Sequence, residues 1–183
     1  MNDVLPDVLA RDLILVFCGT AASEVSARVG AYYANPSNAF WPTLHLAGMT
    51  PRRLHPTDFR ELLDIKIGLT DLVKDASGSD HSLHWRDNQR EQLSGKICRF
   101  QPQILAFTSK TAWRRWKGLS ARVIVTYGWQ DDTLGRTGFY VLPSPSGAAR
   151  GYWDLAPWRA LGEEYLRRLQ APCAKPGHEY LGD

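Results

Sequence analysis

Uninterrupted apolar runs mark the predicted strands of this chain. Residues 13–18 (Leu-Ile-Leu-Val-Phe-Cys) carry no charged or amide side chain, which is typical of a strand buried on both faces of a parallel sheet. Residues 104–107, 122–127 and 138–143 predict three further strands, and residues 65–73 predict a short strand that runs into a loop. The pattern therefore favours a central sheet with buried strands.

Stretches with helical spacing of apolar residues separate these strands. Helices are predicted over residues 38–47, from Thr57 onward, and over residues 85–100, 110–116 and 160–169. A stretch rich in Ser, Gly and Asp at residues 75–80 predicts a loop. Because strands alternate with helices, we expect a single α/β domain over residues 1–183, with three layers (α/β/α) around a central, mostly parallel sheet.

Three loops with unusual chemistry follow predicted strands, after Cys18, Phe107 and Leu142. The carboxyl ends of parallel strands lie along one edge of a sheet, and ligands bind at that edge. We therefore expect the three loops to converge on one site.

Composition restricts the partners only loosely. The net charge of the 183 residues is +3 and the isoelectric point is about 8.8. Basic residues are grouped at Arg114, Arg115, Lys117 and Arg122, which permits a polyanionic partner and is equally typical of a solvated face. No apolar stretch reaches membrane-spanning length and the first residues do not resemble a secretory signal, so we expect a cytoplasmic protein without a membrane partner.

Cysteine and histidine spacing gives little support for a metal. Cys18, Cys98 and Cys173 are far apart and form no Cys-x-x-Cys pair, so neither a structural zinc site nor an iron–sulfur cluster is expected. His81 and His84 form a lone His-x-x-His pair beside Asp80, which is too few ligands for a metal prediction. We expect no metal and no cofactor.

The first strand leads into a segment suited to a flat ring. Small residues follow Cys18 (Gly-Thr-Ala-Ala-Ser), which predicts a turn with accessible backbone N–H groups. The segment 32–41 then reads Tyr-Tyr-Ala-Asn-Pro-Ser-Asn-Ala-Phe-Trp. Tyr33 is a candidate stacking face, the alternative being a core tyrosine.

These segments resemble motifs of the uracil-DNA glycosylase superfamily, most closely those of the mismatch-specific uracil-DNA glycosylases and thymine-DNA glycosylases. That family has a Gly-x-Asn-Pro-Gly turn, an aromatic residue and Pro-x-Asn-x-Phe-Trp, and later a Pro-containing Ser/Gly loop near an arginine. The second motif corresponds to residues 142–150 (Leu-Pro-Ser-Pro-Ser-Gly-Ala-Ala-Arg), and residues 64–73 and 101–110 also resemble family segments in the same order.

The resemblance implies a monofunctional enzyme that flips uracil out of DNA and hydrolyses its N-glycosidic bond, with possible extension to other deaminated bases. It implies a monomer whose partner is damaged DNA. The implied base-binding residues are Gly19, Thr20, Ala21, Tyr33, Thr108 and Ser109. The implied DNA-binding residues are Ser144, Pro145, Ser146, Gly147, Ala148 and Arg150.

Two positions depart from the family pattern. Ala21 stands where the family has its water-positioning asparagine, and Ala148 replaces a bulky wedge. Asn38 is a candidate replacement. Residues 32–41 resemble the Tyr-Tyr-x-His-Pro-x-Asn-x-Phe-Trp segment of hypoxanthine-DNA glycosylases, whose asparagine is implicated in catalysis. Alternatively, Asn38 caps a helix. Asp71 is the second candidate, as a general base, with a solvated loop acid as the alternative. Glu24 is a weaker third.

Two other functions remain open from the sequence. Ala21 is compatible with a non-catalytic protein that binds the lesion and has lost the water-positioning residue. A domain that binds a nucleotide or flavin would also use a small-residue turn after a strand, but residues 19–23 lack the Gly-x-Gly-x-x-Gly and P-loop patterns.

Overall fold

The structure is a computed structural model that describes residues 3–79, 83 and 85–171. Its sheet has five strands in the order β2-β1-β3-β5-β4, in which β1, β2, β3 and β5 are parallel and β4 is antiparallel to β5. The strands are β1 (Leu15–Ala22), β2 (Ile67–Ser77), β3 (Ile104–Phe107), β4 (Gly128–Leu134) and β5 (Thr137–Val141). The predicted central, mostly parallel sheet is confirmed.

Helices cover both faces of the sheet, which confirms the predicted three-layer α/β/α fold. They are α1 (Glu24–Val29), α2 (Phe40–Leu46), α3 (Asp87–Phe100), α4 (Lys110–Lys117) and α5 (Ala156–Gln170), with 3-10 helices at Pro56–Ile65 and Gly147–Tyr152. The side chains of β1 alternate between two cores. Phe17 faces the core formed with α2 and α5, and Cys18 faces the core formed with α3 and α4.

Aromatic side chains fill both cores. On the first face, Phe17 meets Phe40 edge-on with ring centroids 5.2 Å apart and stacks on Trp158 at 5.6 Å. Trp158 is fully buried, and its indole N–H donates to the carbonyl oxygen of Pro143 at 3.1 Å. This contact fixes the end of β5 to α5, so the loop that follows β5 starts from a rigid point.

The first residues of the chain lie along the outer side of β2. Val8 forms an antiparallel bridge with Leu69, and the N–H of Val4 donates to the carbonyl oxygen of Lys74 at 2.7 Å. Gly68 permits this approach, because a Cβ there would lie 2.6 Å from the carbonyl oxygen of Val8. The N-terminal segment therefore covers an edge strand and reaches the region of the site described below.

The prediction of a strand over residues 122–127 is wrong. The antiparallel edge strand begins only at Gly128, and Ile124 is 91% exposed. The guanidinium of Arg114 donates from Nε and Nη2 to the carbonyl oxygen of Val123, which holds this segment as a loop. Gly128 then turns the chain with φ of 100°, a conformation that favours glycine. The true strand β4 is polar and exposed, so the apolar pattern misses it.

Other boundaries also differ from the predictions. The segment from Thr57 is a 3-10 helix that starts at Pro56 with His55 as its N-cap. Strand β1 continues through Gly19 to Ala22, with a bulge between Ala21 and Ala22, so the chain turns only at Ser23. Strand β2 extends through Ser77, into residues predicted to form a loop. Both extensions have the same physical basis, since each strand continues to pair with the other.

Some predictions lie outside the described residues, namely those on Cys173, Asp80, His81 and His84. Across residues 3–79, 83 and 85–171, no group of three His, Cys, Asp or Glu side chains is arranged to hold a metal ion. No helix in these ranges combines the length and apolar character needed to cross a bilayer.

Candidate active site

A cleft of about 350 Å³ lies at the carboxyl ends of β1, β3 and β5. The segments after Cys18, Phe107 and Leu142 meet there as predicted, although residues 19–22 continue strand β1 and do not form a loop. The predicted residues that line the cleft are Gly19, Thr20, Ala21, Tyr33, Asn38, Asp71, Thr108, Ser109, Ser144, Pro145, Ser146 and Ala148. Gly147 and Arg150 lie outside its lining.

Tyr33 presents an aromatic surface to the cleft. Its ring stacks on the buried ring of Phe40, with centroids 3.9 Å apart and planes 17° from parallel. The backbone of Tyr33 has φ of 52°, in the left-handed region, which turns the side chain back over α2. Its hydroxyl lies 3.5 Å from Thr108 Oγ1. Burial, reinforced by the negative charge of Asp71, raises the pKa of Tyr33 well above its ordinary value, so the phenol is neutral.

Asp71 brings a buried carboxyl group to the same cleft. It is 5% exposed and lies opposite Gly19 in the register of β1 and β2. Its carboxylate accepts no hydrogen bond from any residue that the structure describes. Burial raises the pKa of Asp71 to about 7, and the positive charge of Lys74 only partly opposes that shift. A carboxyl group in this state takes up and releases a proton near neutral pH.

The end of β1 exposes backbone polar groups to the cleft. The carbonyl oxygen of Cys18 accepts from the N–H of Thr108 at 3.0 Å, and this is where pairing with β3 ends. Alternate residues of a strand direct their backbone groups to the same side. Thr20 therefore directs its N–H towards the side on which β3 has ended, inside the cleft. A ligand with a carbonyl oxygen or a negative charge is complementary to such a donor.

Asn38 combines a structural contact with a position in the cleft. Its Oδ1 accepts from the N–H of Phe40 at 2.9 Å, so the side chain supports the start of α2. The backbone N–H of Asn38 donates to the carbonyl oxygen of Asn35 at 2.8 Å. The amide nitrogen Nδ2 has no hydrogen-bond partner among the described residues. The N-cap residue of α2 is Ala39, so Asn38 supports the start of the helix from the preceding position and not as its cap. This contact uses one atom of the side chain and leaves the other available.

The loop after β5 is fastened to the segment that carries Tyr33 and Asn38. The carbonyl oxygen of Pro145 accepts from the N–H of Ala39 at 2.8 Å. A Cβ at Gly147 would lie 2.5 Å from Ser37 Oγ, so the two loops pack too closely for a larger residue there. Arg150 follows in the 3-10 helix Gly147–Tyr152, and its side chain is exposed. The two motifs thus form one continuous rim.

Thr108 and Ser109 differ in what their side chains do. Thr108 is buried and lies beside the hydroxyl of Tyr33, inside the cleft. Ser109 Oγ accepts from the N–H of Ala112 at 2.9 Å as the N-cap of α4, while the residue also lines the cleft. Glu24, the weaker candidate, is exposed and does not line the cleft.

Comparisons with known proteins identify the family. The model of the family described as "Uracil DNA glycosylase superfamily" matches residues 6–168. The chain belongs to this superfamily. Among solved structures it is similar to the "Solution NMR Structure of a putative Uracil DNA glycosylase from Methanosarcina acetivorans". That match has a TM-score of 0.61 and 23% sequence identity, and covers 88% of this chain and 96% of the other. At this identity, the likeness is one of fold.

In this glycosylase fold, Ala21 places a methyl group where the first motif of the superfamily has an asparagine. Ala21 lines the cleft and offers no side-chain hydrogen bond. Asp71 reaches the same cleft from the neighbouring strand β2, where it pairs with Gly19, two positions before the pair formed by Ala21 and Val73. The polar group that the first motif lacks is therefore available from a different element.

Sequence reasoning missed several residues of the glycosylase cleft, among them Leu5, Ser23, Ser26, Tyr32 and Thr111. Ser26 is buried, and its Oγ accepts from the N–H of Ala34 at 3.1 Å, which fixes the backbone just after Tyr33. The spacing of Ser23 and Ser26, three residues apart after a strand, was an available signal for a capped helix start. Leu5 carried no signal, because its place depends on the path of the N-terminal segment across β2.

Proposed function

We propose that this chain is a monofunctional DNA glycosylase that removes uracil from DNA, acts as a monomer, and resembles most closely the mismatch-specific uracil-DNA and thymine-DNA glycosylases. One observation carries the proposal. A stacked tyrosine, Tyr33, and a buried carboxyl group that accepts no hydrogen bond from any described residue, Asp71, face the same cleft at the strand ends. Membership of the superfamily supports DNA as the substrate.

Binding requires the target nucleotide to leave the base stack. The everted uracil lies on the face of Tyr33 that is turned away from Phe40. Its edge meets Thr108 and Ser109, and its carbonyl oxygen accepts from the N–H of Thr20. Stacking on an aromatic side chain is worth about 1–3 kcal/mol per base, so we expect Tyr33 to contribute about that much to binding.

Hydrolysis breaks the bond between C1′ of the sugar and N1 of uracil, and the electron pair of that bond leaves with the base. The N–H of Thr20 stabilises the negative charge that develops on the leaving uracil. Water attacks C1′, and Asp71 in its ionised form takes the proton that the water loses. Asn38 directs its Nδ2, which has no hydrogen-bond partner among the described residues, at the same water. Because Asp71 must be ionised, the rate rises as the pH increases through about 7.

The first experiment measures single-turnover excision of uracil from an oligonucleotide, detected by strand cleavage after alkaline treatment. We expect Asp71→Asn to lose most of the activity, since an amide cannot accept the proton. Asn38→Ala is expected to lose most of the rate, while Ala21→Asn keeps it. Intact strands after incubation with excess wild-type protein would refute the proposal.

Asn38→Asp separates the two roles of that residue. The aspartate keeps the oxygen that accepts from the N–H of Phe40, so α2 and the melting temperature are preserved. It loses the amide nitrogen, so a role in directing water predicts a slower reaction. An Asn38→Asp variant as fast as wild type would leave Asn38 with a structural role alone.

A second candidate function follows from Ala21, whose methyl group replaces the polar side chain of the first motif. A protein that recognises the lesion without cleaving it would bind uracil-containing DNA tightly and release no base. Fluorescence anisotropy on the same oligonucleotide distinguishes the two functions. Tight binding with no alkali-sensitive product would support the non-catalytic function and exclude the enzyme.

The substrate range is proposed to include other deaminated bases. Ala21 and Ala22 are small residues in the cleft lining and leave room beside a pyrimidine ring. Hypoxanthine and xanthine are the purines to test, because both present a carbonyl edge to Thr20. Ala148 is too small to fill the gap left by an everted base, so we expect single-stranded and double-stranded uracil substrates to be cleaved at similar rates.

A further inference from the structure

An ion pair between a buried lysine and a partly buried aspartate lies outside the lining of the cleft. The side chain of Lys74 is 6% exposed, and its ammonium group lies 2.9 Å from Asp7 Oδ1. Nζ also donates to the carbonyl oxygen of Leu5 at 2.6 Å and to the hydroxyl of Tyr32 at 3.1 Å. With three acceptors for three protons, the ammonium is fixed in one position. A buried ion pair costs desolvation, so its place beside a cleft calls for a reason beyond stability.

Both carboxylate oxygens of Asp7 also have partners. Oδ1 accepts from Thr70 Oγ1 at 2.7 Å, and Oδ2 pairs with Lys96 at 2.5 Å. Burial alone would raise the pKa of Asp7, but the charge of Lys74 and the hydrogen bonds from Lys96, Lys74 and Thr70 outweigh it and lower the pKa. Asp7 is therefore ionised at neutral pH, and the cluster holds two cations and one anion.

The cluster contacts the cleft through the residues that hold it. Leu5, whose carbonyl oxygen accepts from Lys74, lines the cleft. Tyr32 also lines it, donates to the carbonyl oxygen of Pro6 at 3.2 Å, and immediately precedes the stacking residue Tyr33. The N-terminal segment therefore contacts both Lys74 and Tyr32, and so helps to fix the backbone that carries Tyr32 and Tyr33.

Asp71 lies on the same strand as Lys74, is buried, and accepts no hydrogen bond from the residues that the structure describes. The charged groups that act on it come from three elements: Asp7 on the N-terminal segment, Lys74 on its own strand, and Lys96 on α3. The other titratable groups close to it are Cys18 on β1 and the tyrosines at 32 and 33, all with pKa values raised by burial and therefore neutral. Burial is the main cause of the raised pKa of Asp71, and the charges of the cluster act on its ionisation in addition.

We propose that Lys74 and Asp7 are positioning residues of the active site, and that their ion pair adjusts how readily Asp71 carries the negative charge needed to accept a proton from water. The inference rests on the proposed function, in which Asp71 is the general base. Neither residue touches the substrate. The ammonium favours the ionised form of Asp71, and the Asp7 carboxylate opposes it.

The two partners of one ion pair should then have opposite effects. Asp7→Asn removes the anion and leaves Lys74 bound to Leu5 and Tyr32, so the titration midpoint of Asp71 moves to lower pH by about one unit. Lys96→Gln and Lys74→Gln each remove a cation and move it to higher pH. Loss of packing alone would not produce shifts of opposite sign. Lys96 is the safer cation variant, because its side chain is 27% exposed.

Two readouts test the proposal on the full chain. The first is carbon-13 NMR of the aspartate carboxyl groups, with the Asp71 resonance assigned by its absence from Asp71→Asn. The second is the pH profile of single-turnover uracil excision. Lys117→Gln is the matched control, because it also breaks a lysine–aspartate pair, the one between Lys117 and Asp132. The side chain of Lys117 is 25% exposed, which is close to the value for Lys96. We expect no shift in that control.

Opposite shifts in Asp7→Asn and Lys96→Gln support the inference even if Lys74→Gln does not fold. Midpoints that equal the wild-type value, or that move in the same direction, overturn it. If the NMR midpoints separate but no uracil is released, the ion pair controls Asp71 and the proposed function is wrong. If the rate depends on Asp71 but its pH profile stays fixed in both variants, the proposed function stands and this inference is wrong.

Discussion

Gly19 and Asp71 are direct partners in the parallel register of β1 and β2, and the carboxylate of Asp71 occupies the space that a side chain at position 19 would need. A Cβ at Gly19 would overlap Asp71 Oδ1 and would lie 3.3 Å from the hydroxyl of Tyr33. The glycine of the first motif therefore makes room for a carboxyl group from another strand. The position of the Asp71 carboxylate therefore depends on the absence of a side chain at position 19.

Gly19→Ala is predicted to displace Asp71 and to slow uracil excision by about 100-fold, because small misplacements of a reacting group have costs of this order. Single-turnover kinetics measure the effect. Gly95→Ala is the control, since Gly95 is exposed on α3 and a Cβ there would meet no atom within 4 Å. It should keep full activity and gain up to about 1 kcal/mol of stability. Full activity in Gly19→Ala would show that uracil excision does not depend on the observed position of Asp71.

Asp71→Asn is predicted to be more stable than wild type at pH 8, by an amount that shrinks as the pH falls. The pKa of Asp71 is about 7 in the folded chain, against 3.8 in the unfolded chain, so the folded state binds the proton more tightly. Stability is therefore lost as the pH rises from about 4 to about 7. The cost is on the order of 4 kcal/mol above that window and less than half of it at pH 5.

Thermal unfolding of both proteins at pH 5 and pH 8 measures this difference. The comparison between the two pH values removes the constant cost of burying an amide. A melting-temperature difference that is independent of pH would contradict a raised pKa for Asp71. A stabilising variant that loses activity would also fit the general observation that catalytic groups are held at some expense of stability.

Tyr33→Phe and Tyr33→Ala are predicted to differ sharply. Phenylalanine keeps the ring that stacks on Phe40 and loses only the hydroxyl near Thr108. Alanine removes the stacking surface, which is worth about 1–3 kcal/mol, or roughly 5-fold to 150-fold in affinity for uracil-containing DNA. Binding and excision are measured on the same oligonucleotide. Equal losses in the two variants would assign the effect to the hydroxyl and not to the ring.

The parts of the fold that depend on local pattern were predictable. Strand β3 and the start of α4 follow from an apolar run and a serine that caps the helix, as at Ser109. Strand β4 was not predictable in this way, because an exposed edge strand carries no apolar alternation and Ile124 instead lies in solvent. Edge strands depend on their partner, here β5, for their conformation.

The candidate site also has one part that the sequence predicts and another that it does not. The cleft positions of Tyr33 and Asn38 were accessible through motif order, and the sequence also singled out Asp71. The residues behind the cleft were not accessible, since Lys74 meets Leu5 across 69 positions of sequence and Tyr32 across 42. No local pattern encodes such contacts. They arise because the N-terminal segment crosses β2, which only the tertiary fold determines.

Arg150→Ala is predicted to weaken binding to DNA of any sequence without changing the single-turnover rate at saturating enzyme. The side chain is exposed on the rim beside the loop of Ser146 and Ala148 and does not line the cleft, so it is suited to contact a phosphate and not the base. Loss of one phosphate contact lowers the slope of log affinity against log salt by about 1. Fluorescence anisotropy between low and physiological salt measures that slope.

Arg60→Ala is the matched control, because Arg60 is an exposed arginine on the 3-10 helix Pro56–Ile65, and it should leave the slope unchanged. Equal slopes in wild type and Arg150→Ala would remove Arg150 from the DNA interface, whereas a loss confined to the catalytic rate would place it in the chemistry of the cleft.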